Sequence, residues 1–313
     1  MVRFLARRLI FAVLTIIFAT ALVFTLSRLA GDPLLLYAKP GGYGFSKEQE
    51  AALKHKLGLD KPFVMQYIVW LGLISHGDFG KTILDEKPVI KVVTEKAPAS
   101  AQLALFAWIL ATVVGIPIGV FAAVKRGSKW DYVARLFAVF GQALPSFWLG
   151  FILIFFFAVG LGWFPAGTRG DRGWLDWKYV ALPAITLGWG AAASYMRLTR
   201  SAMLEVMDSE YIKLARAKGV RTSKIVWKHG FRNALIQPLT ASAIILTGFL
   251  GGSIIVEQVF AWPGMGRQLI TAILNGDFPV IMAFVLLYAA VYVVANFLVD
   301  LSYGAIDPRI RYE

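Results

Sequence analysis

The sequence predicts an all-α integral membrane protein with six membrane-spanning helices. Of its 313 residues, 58% are hydrophobic and the mean hydropathy is +0.64, whereas soluble domains contain about 45–50% apolar residues. The apolar residues gather in six runs, and the 32 lysines and arginines lie outside those runs. These observations favour a chain that crosses a bilayer several times.

The first predicted span covers residues 9–27, directly after Arg3, Arg7 and Arg8. A basic start followed by an apolar run is also typical of a cleaved signal peptide. The apolar run continues past the small-residue triplet Ala19-Thr-Ala21 and approaches the ~20 residues that cross a bilayer core. We therefore expect a retained transmembrane helix.

Residues 31–98 are predicted to form an external segment of modest structure, because prolines and glycines interrupt it. Ser46 is expected to cap a helix that ends near Leu57. The apolar residues 67–74, which include Trp70, indicate an amphipathic piece that lies at the membrane interface.

The second predicted span covers residues 101–124 and contains no charge. Gly115 and Gly119 have the four-residue spacing of small residues that lets two helices pack closely. Pro117 lies between them and predicts a bend.

The third apolar run, residues 136–166, is too long for one straight crossing. Gly141 and Pro145 in its first half predict a broken or kinked span. Gln142 and Ser146 are polar groups at membrane depth. They indicate either a hydrogen bond between helices, the more common role, or the lining of a transport path.

Three further runs, residues 179–196, 233–256 and 278–299, complete the six spans. The connections that carry most lysine and arginine lie on the same side as both termini. The positive-inside rule therefore predicts that the N-terminus and the C-terminus are cytoplasmic. Glu257 and Asp300 stand at span ends, where they are expected to serve as interfacial pairs or caps and not as proton carriers.

A basic segment, residues 197–238, connects the fourth and fifth predicted spans. Asp208 and Ser209 are good N-cap residues for a helix over residues 210–218, and Gly219 suits the left-handed turn that ends a helix. Thr222 and Ser223 are expected to cap a second helix over residues 224–235. So short a first helix is marginal in water, so it needs a docking surface on a partner or on its own membrane domain.

Composition also weighs against other classes of protein. The net charge of +13 is explained by topology, because the basic residues are not interleaved with aromatic residues as in nucleic-acid binding. The chain has no cysteine, and its three histidines have no metal-ligand spacing. It contains no phosphate-binding Gly-x-x-x-x-Gly-Lys-Ser/Thr loop and no clustered nucleophile and base. We therefore predict no catalytic, cofactor or metal site in this chain.

Within the basic segment, Glu210-Tyr-Ile-Lys-Leu-Ala-Arg-Ala-Lys-Gly219 and Arg232-Asn-Ala-Leu-Ile236 resemble the EAA loop of ABC-importer permeases. Ala215 and Gly219 fit the general signature of that loop, and five positions depart from it: Lys213, Leu214, His229, Phe231 and Arg232. In that family the loop forms a coupling helix that sits in a groove on the ATPase subunit. The resemblance implies this role for Glu210, Tyr211, Leu214, Ala215, Ala217, Lys218 and Gly219.

Five further strings occur in the same order as in the B-type permease of dipeptide, oligopeptide and nickel importers. They are Leu57-Gly-Leu-Asp-Lys-Pro62, Gly77-Asp-Phe-Gly80, Leu144-Pro-Ser-Phe-Trp-Leu-Gly150, Val259-Phe-Ala-Trp-Pro-Gly264 and Asp307-Pro-Arg-Ile-Arg-Tyr312. Together they span most of the chain. The resemblance implies the type I ABC importer permease fold, with a first helix and external segment over residues 1–98, a transmembrane domain over 99–302 and a cytoplasmic tail over 303–313.

The resemblance further implies half of a transport pathway in a bacterial or archaeal cytoplasmic membrane. A C-type permease subunit would form the other half as a heterodimer, two ABC ATPase subunits would bind ATP and Mg²⁺, and a solute-binding protein would stand outside. Membrane lipid is the remaining partner, and no nucleic acid is expected. Peptides are the first expected substrate, and nickel, glutathione and oligosaccharides stay open within the family.

Two alternatives from other classes remain. A secondary transporter or channel that works without an ATPase would be self-sufficient, often with inverted repeats and a midplane ion site. A membrane-embedded enzyme would need a cluster of reactive side chains near the membrane face. The central parts of the six runs contain no ionisable residue, which disfavours proton coupling.

Overall fold

The computed structural model describes residues 2–29, 47–56, 59–83 and 85–306, and within these residues the protein is helical, with only an isolated bridge between Lys81 and Pro88. The helices are α1 Val2–Leu29, α2 Lys47–Lys56, α3 Phe63–Ser75, α4 Val89–Val124, α5 Lys129–Ala143, α6 Ser146–Leu153, α7 Trp177–Met207, α8 Glu210–Ala217, α9 Thr222–Lys224, α10 Arg232–Ala234, α11 Ile236–Val259, α12 Met265–Leu274 and α13 Phe278–Ile306. Two π-helical segments, Ile154–Gly160 and Ile225–Phe231, and a 3₁₀ turn, Gly173–Leu175, lie between them. The predicted cap at Ser46, the helix end at Leu57, the side chain of Asp300 and the string from Asp307 to Tyr312 lie outside the described residues.

The chain forms two compact units. Unit 1 comprises Met1–Pro98 and Gln268–Phe297, and unit 2 comprises Ala99–Arg267 and Leu298–Glu313.

Within the described residues, three helical stretches are long and apolar enough to cross a membrane: Leu9–Leu29, Val89–Val124 and Phe278–Phe297. Two bent pairs can each serve as one further span. The first joins α5 to α6 and the π-helical segment, and the second is α11, which bends by 52° between Phe249 and Gly251. Five of the six predicted spans therefore have a helical counterpart of sufficient apolarity.

The fourth predicted span, residues 179–196, lies in α7, which has 31 residues but is not among the helices that are apolar enough to cross a membrane by themselves. Fourteen of its residues are buried, including Tyr195 and Met196. A helix that packs against protein on several sides needs less lipid-compatible surface than one exposed to hydrocarbon. α7 also continues through residues 197–207, so the first eleven residues of the predicted basic segment are helical.

Helix α4 begins at Val89, twelve residues before the second predicted span, so its first turns belong to the segment that is predicted to be external. Its 36 residues give a length of about 54 Å, well beyond the ~30 Å hydrocarbon core. The first turns of α4, which carry Lys91, Glu95 and Lys96, thus precede the apolar span. The helix continues through Pro117, so the predicted bend does not interrupt it.

In unit 2, glycines let α4 and α5 approach α7 at backbone distance. A Cβ atom added to Gly115 would lie 2.4 Å from the Ala192 carbonyl oxygen, and one added to Gly119 would lie 2.6 Å from the Met196 carbonyl oxygen. The spacing of small residues thus serves the close helix packing that it predicts. On the other side of α7, a Cβ on Gly141 of α5 would lie 2.4 Å from the Cβ of Ala193.

The third apolar run is broken, as predicted. α5 ends at Ala143 and α6 begins at Ser146. The helix axis bends by 107° between these two arms, at Pro145. Proline lacks the N–H that a continuous helix would need, and it disfavours helical backbone in the preceding residue. The second arm ends at Gly160 and not at residue 166, after its π-helical turns.

In unit 1, α3 packs against α1 through aromatic side chains. Phe24 is 1% exposed, and its ring centroid lies 5.4 Å from Tyr67 and 5.2 Å from Trp70. The Tyr67 hydroxyl is 2.7 Å from Thr20 Oγ1. The predicted amphipathic piece therefore exists as a helix, and its place at the membrane interface stays a prediction.

The start of α13, also in unit 1, is fixed by Asp277. One carboxylate oxygen accepts a hydrogen bond from the Ile83 N–H at 3.1 Å, and the other accepts one from the Val280 N–H at 3.4 Å. Burial raises the pKa of the Asp277 carboxyl above its usual value.

Glu257 near the end of α11 is fully buried, and its carboxylate caps α12. It accepts hydrogen bonds from the Ser100 hydroxyl at 2.6 Å and from the Arg267 N–H at 3.0 Å. Ser253 and the Gly266 N–H also donate to it. The expectation that Glu257 serves as a cap is confirmed, at a position that is buried in the protein.

Candidate coupling segment

The coupling segment, residues 208–235, follows α7 and leads into α11. α8 covers Glu210–Ala217, one residue shorter than predicted. Gly219 has a φ of +72°, so the predicted left-handed turn is confirmed. The Gly219 N–H and the Val220 N–H donate to carbonyls of α8 at 3.0 and 3.1 Å, which closes the helix.

Two of the predicted caps work differently from expectation. Ser209 occupies the N-cap position of α8, but its hydroxyl donates to the Val206 carbonyl and not to α8. Thr222 is already helical, and Arg221 precedes it at the N-cap without a side-chain hydrogen bond, so the predicted cap at Thr222 and Ser223 is wrong.

The second predicted helix is present, but its centre is π-helical over Ile225–Phe231. The i to i+5 spacing of a π-helix brings residues five apart onto one side. Ile225 and Gly230 are both buried, and a Cβ on Gly230 would lie 3.1 Å from the sulfur of Met207. The wider turn therefore seats this stretch against the end of α7.

One face of α8 is docked on the protein itself. Ile212 is fully buried, and Ala215, one turn further on, is half-buried. The coupling segment shares a hydrophobic core with α4 and α7 that includes Val120, Met203 and Val226. The docking surface that a short helix needs is thus present in this chain.

The other face of α8 is exposed and carries apolar side chains. Tyr211 is 46% exposed and Leu214 is 56% exposed, and the next position on that face is the exposed Lys218. Glu210, Ala217 and Gly219 are exposed as well. Of the seven residues that the resemblance singles out, only Ala215 is partly covered.

Asn233 is a contact that the sequence reasoning missed. Its Nδ2 donates to the Tyr211 hydroxyl at 2.9 Å and to the His229 carbonyl at 3.0 Å. This links α8 to α10 across the turn. The only signal in the sequence was that Asn233 falls within the second resembling string.

Gln142 and Ser146 lie on either side of the break between α5 and α6. Gln142 is exposed and Ser146 is half-buried. Neither side chain hydrogen-bonds to another of the described residues, so the hydrogen bond between helices is not formed within this part of the chain. Exposed aromatic residues, Phe147 and Trp148, follow them on α6.

The apolar helices and the docked coupling segment define a multi-span membrane protein that presents a short helix between two long ones. Comparison of the sequence with known families is consistent with this architecture. Residues 115–312 match the family described as "binding-protein-dependent transport system inner membrane component", and residues 1–104 match the N-terminal region of the same kind of protein. The chain belongs to this family, as the motifs predicted.

Individual relatives align over their whole length. The chain is 37% identical to the oligopeptide transport system permease protein AppB of Bacillus subtilis and 38% identical to the dipeptide transport system permease protein DppB of Escherichia coli, with all of each chain covered. Among solved structures, inward-facing MetNI, a methionine ABC transporter, matches with a TM-score of 0.56 at 21% identity, over 69% of this chain and 96% of that one. The predicted fold class, an all-α type I ABC importer permease, is confirmed.

Proposed function

We propose that this protein is the B-type permease subunit of an ATP-driven peptide importer and forms half of its translocation pathway. The observation that carries the proposal is the alignment, without truncation, to two permeases named for oligopeptide and dipeptide transport. The protein is a multi-pass subunit of the inner membrane. Peptides are the proposed substrate class. Identifying the ligand that the associated binding protein carries would decide between peptides and nickel chelates, glutathione or oligosaccharides.

This subunit transports and does not hydrolyse ATP. Its sequence contains no phosphate-binding loop, so two ABC ATPase subunits supply hydrolysis and hold ATP and Mg²⁺. A C-type permease completes the pathway as a heterodimer, and an external solute-binding protein delivers the peptide. Gln142 and Ser146 line the pathway, because both are polar, lie at a break in a span and have no hydrogen-bonding partner among the described residues.

The coupling segment provides the contact with the ATPase. Tyr211 and Leu214 are exposed apolar side chains on a helix whose opposite face is anchored by Ile212. The residues that contribute most to a protein contact cluster near its centre and are enriched in tyrosine, which favours Tyr211 as the main contact and Leu214 as its apolar neighbour. ATP-driven closure of the ATPases would move this helix and swing the two permeases between outward-open and inward-open states.

Co-purification of the ATPase subunits tests the contact. Leu214→Asp replaces an exposed apolar side chain with a charge, so we expect normal membrane insertion and loss of the ATPase subunits. Lys218→Ala, on the same exposed side, is the matched control and should retain them. Full ATPase retention by Leu214→Asp would exclude α8 as the docking helix.

Two further variants test shape. Ala215→Arg places a long cation at a half-buried position, and Gly219→Val places a β-branched side chain at a positive φ. Both should abolish peptide-stimulated ATP hydrolysis. A Cβ at Gly219 has no atom within 4 Å, so the cost there is backbone strain and not a clash. Gly219→Asn, which tolerates this backbone, should therefore be mild. If both bulky variants transport normally, the segment is only a basic topogenic loop.

The orientation follows from the distribution of lysine and arginine, which places the N-terminus, the C-terminus and the coupling segment in the cytoplasm. A reporter enzyme fused near Lys218 should give a cytoplasmic signal. An external signal would contradict both the orientation and the ATPase contact. Uptake by the purified chain driven by a proton or sodium gradient alone would instead favour a secondary transporter.

A further inference from the structure

A buried ion pair joins α5 to α7 close to the coupling segment. The Asp131 side chain is 1% exposed and accepts two hydrogen bonds from the Arg200 guanidinium, from Nε at 2.7 Å and from Nη2 at 2.9 Å. The Gly127 N–H donates to the same carboxylate at 3.0 Å, and the Arg135 guanidinium lies 3.7 Å away. The buried carboxylate of Asp131 thus accepts three hydrogen bonds from this chain.

Arg200 lies close to the end of α7 that leads into the coupling segment. Arg200 lies on α7 seven residues before the helix ends at Met207, which corresponds to about 10 Å along the axis. The coupling segment begins directly after Met207. A displacement of α8 is therefore transmitted to Arg200 before it is transmitted to the residues of α7 that precede Arg200.

Close packing leaves α7 no room to slide past its neighbours. The contacts of Gly115 and Gly119 on α4, and of Gly141 on α5, are made with the backbone or Cβ atoms of α7. Such interfaces shift between discrete arrangements and do not deform gradually. α4, α5 and α7 therefore move as a body wherever these contacts hold.

The first turn of α5 has no such glycine contact with α7. There the ion pair between Asp131 and Arg200 connects the two helices. We propose that Asp131 and Arg200 are positioning residues that make α5 follow α7, and hence the coupling segment, during the transport cycle. This inference rests on the proposed function, because it presumes that an ATPase moves α8. The two residues touch neither ATP nor peptide, and they act by fixing which helices move together.

A second ion pair between the same regions supplies a matched control. Arg126, before α5, pairs with Asp208, after α7, at 3.2 Å, but the two side chains are 62% and 70% exposed. Exposed pairs contribute little, whereas breaking a buried pair leaves an uncompensated charge. If only charge attraction between the two regions mattered, Arg126→Gln and Arg200→Gln would have similar effects.

The test uses the complete importer in proteoliposomes, with peptide uptake and ATP hydrolysis measured on the same vesicles. Per assembled complex, Arg200→Gln should raise the ATP hydrolysed per peptide transported by about 2- to 30-fold. Arg126→Gln should leave this ratio unchanged. The double variant Asp131→Asn with Arg200→Gln should also raise the ratio, because it lacks the link between α5 and α7, but it should assemble in larger amounts than Arg200→Gln because it leaves no unpaired charge. An unchanged ratio in assembled Arg200→Gln would overturn the proposal, since a role in folding alone lowers only the amount of complex.

Arg200→Lys keeps the charge and loses the two-point contact, so it covers the case in which Arg200→Gln does not fold. Because this chain contains no cysteine, spin labels can be placed at Lys129→Cys on α5 and Lys224→Cys in the coupling segment without background from this chain, in an importer whose other subunits have had their cysteines replaced. In the otherwise unchanged importer, the label distance should be narrow and equal with and without ATP. In Arg200→Lys it should broaden.

A label distance that changes with ATP in the unchanged importer, or one that stays equally narrow in Arg200→Lys, would overturn the proposal. Failure of the proposed function has a different signature, because the unchanged importer would then show no ATP-dependent uptake. The comparison of label distances between the unchanged chain and Arg200→Lys would still decide whether the ion pair fixes α5 to α7.

Discussion

Removal of the Glu257 carboxylate should destabilise this subunit by a large and calculable amount. Glu257→Ala leaves the Ser100 hydroxyl and the Arg267 N–H without their acceptor, 2.6 and 3.0 Å from atoms that are no longer present. Each buried donor left unpaired costs about 1–3 kcal/mol, so these two donors alone predict about 2–6 kcal/mol in the free energy of unfolding. The Gly266 N–H and Ser253 lose the same acceptor and push the cost toward the upper end.

Glu257→Gln separates charge from shape. The amide retains one acceptor oxygen but turns an NH₂ group toward donors that surround the carboxylate on both sides. We expect a smaller loss than for alanine and a larger one than for a surface change. Glu205→Ala on the exposed side of α7 is the control, and surface substitutions of this kind stay within about 0.5 kcal/mol.

Thermal aggregation of this chain in the detergent-purified importer, followed by immunoblot, measures the difference. A change of 1 kcal/mol shifts the unfolding temperature by roughly 2–4 °C in a unit of 150–250 residues, so Glu257→Ala should lower it by at least about 4 °C. Aggregation of Glu257→Ala at the same temperature as Glu205→Ala would refute the reasoning and show that water or other groups satisfy the donors.

Three further outcomes are expected from the same assay. Gly119→Ala, whose Cβ would meet an α7 carbonyl at 2.6 Å, should cost about 1–3 kcal/mol, whereas Gly248→Ala, with no atom within 4 Å, should cost nothing. Tyr67→Phe should cost about 0.5–1.5 kcal/mol through the lost hydrogen bond to Thr20, and an unchanged unfolding temperature would show that this bond is not formed. Because burial raises the pKa of Asp277, its contribution to stability is present below the unfolded pKa of about 3.9 and is lost as pH rises through the folded pKa. The stability of the natural chain relative to Asp277→Asn should therefore rise as pH falls from about 7 toward 4, and a pH-independent difference would contradict it.

The features that sequence predicted well are those set by local chemistry. Apolar runs bound the spans because a bilayer tolerates little else, Pro145 disfavours a continuous helix at the point where the third run is broken, and Gly219 suits a positive φ. In each case the residues that predict the feature lie within a few positions of it in the sequence.

The features that it missed depend on partners far along the chain. The start of α4 at Val89 was not predicted, because Lys91, Glu95 and Lys96 separate the apolar residues of its first turns from the apolar run that follows. Asp131 and Arg200 are 69 residues apart in sequence, and nothing around either residue announces the other. Tyr211 and Asn233 are likewise joined only by the fold.

The enclosure of α7 has a consequence for biogenesis. α7 is not among the helices that are apolar enough to cross a membrane by themselves, and glycines of α4 and α5 hold it at backbone distance, so its place in the membrane depends on these neighbours. Both of those neighbours precede α7 in the chain, so its docking groove has already been synthesised when α7 leaves the ribosome. We therefore expect membrane insertion of α7 to be cooperative with α4 and α5, and a fragment carrying α7 alone to leak into the aqueous phase during translation.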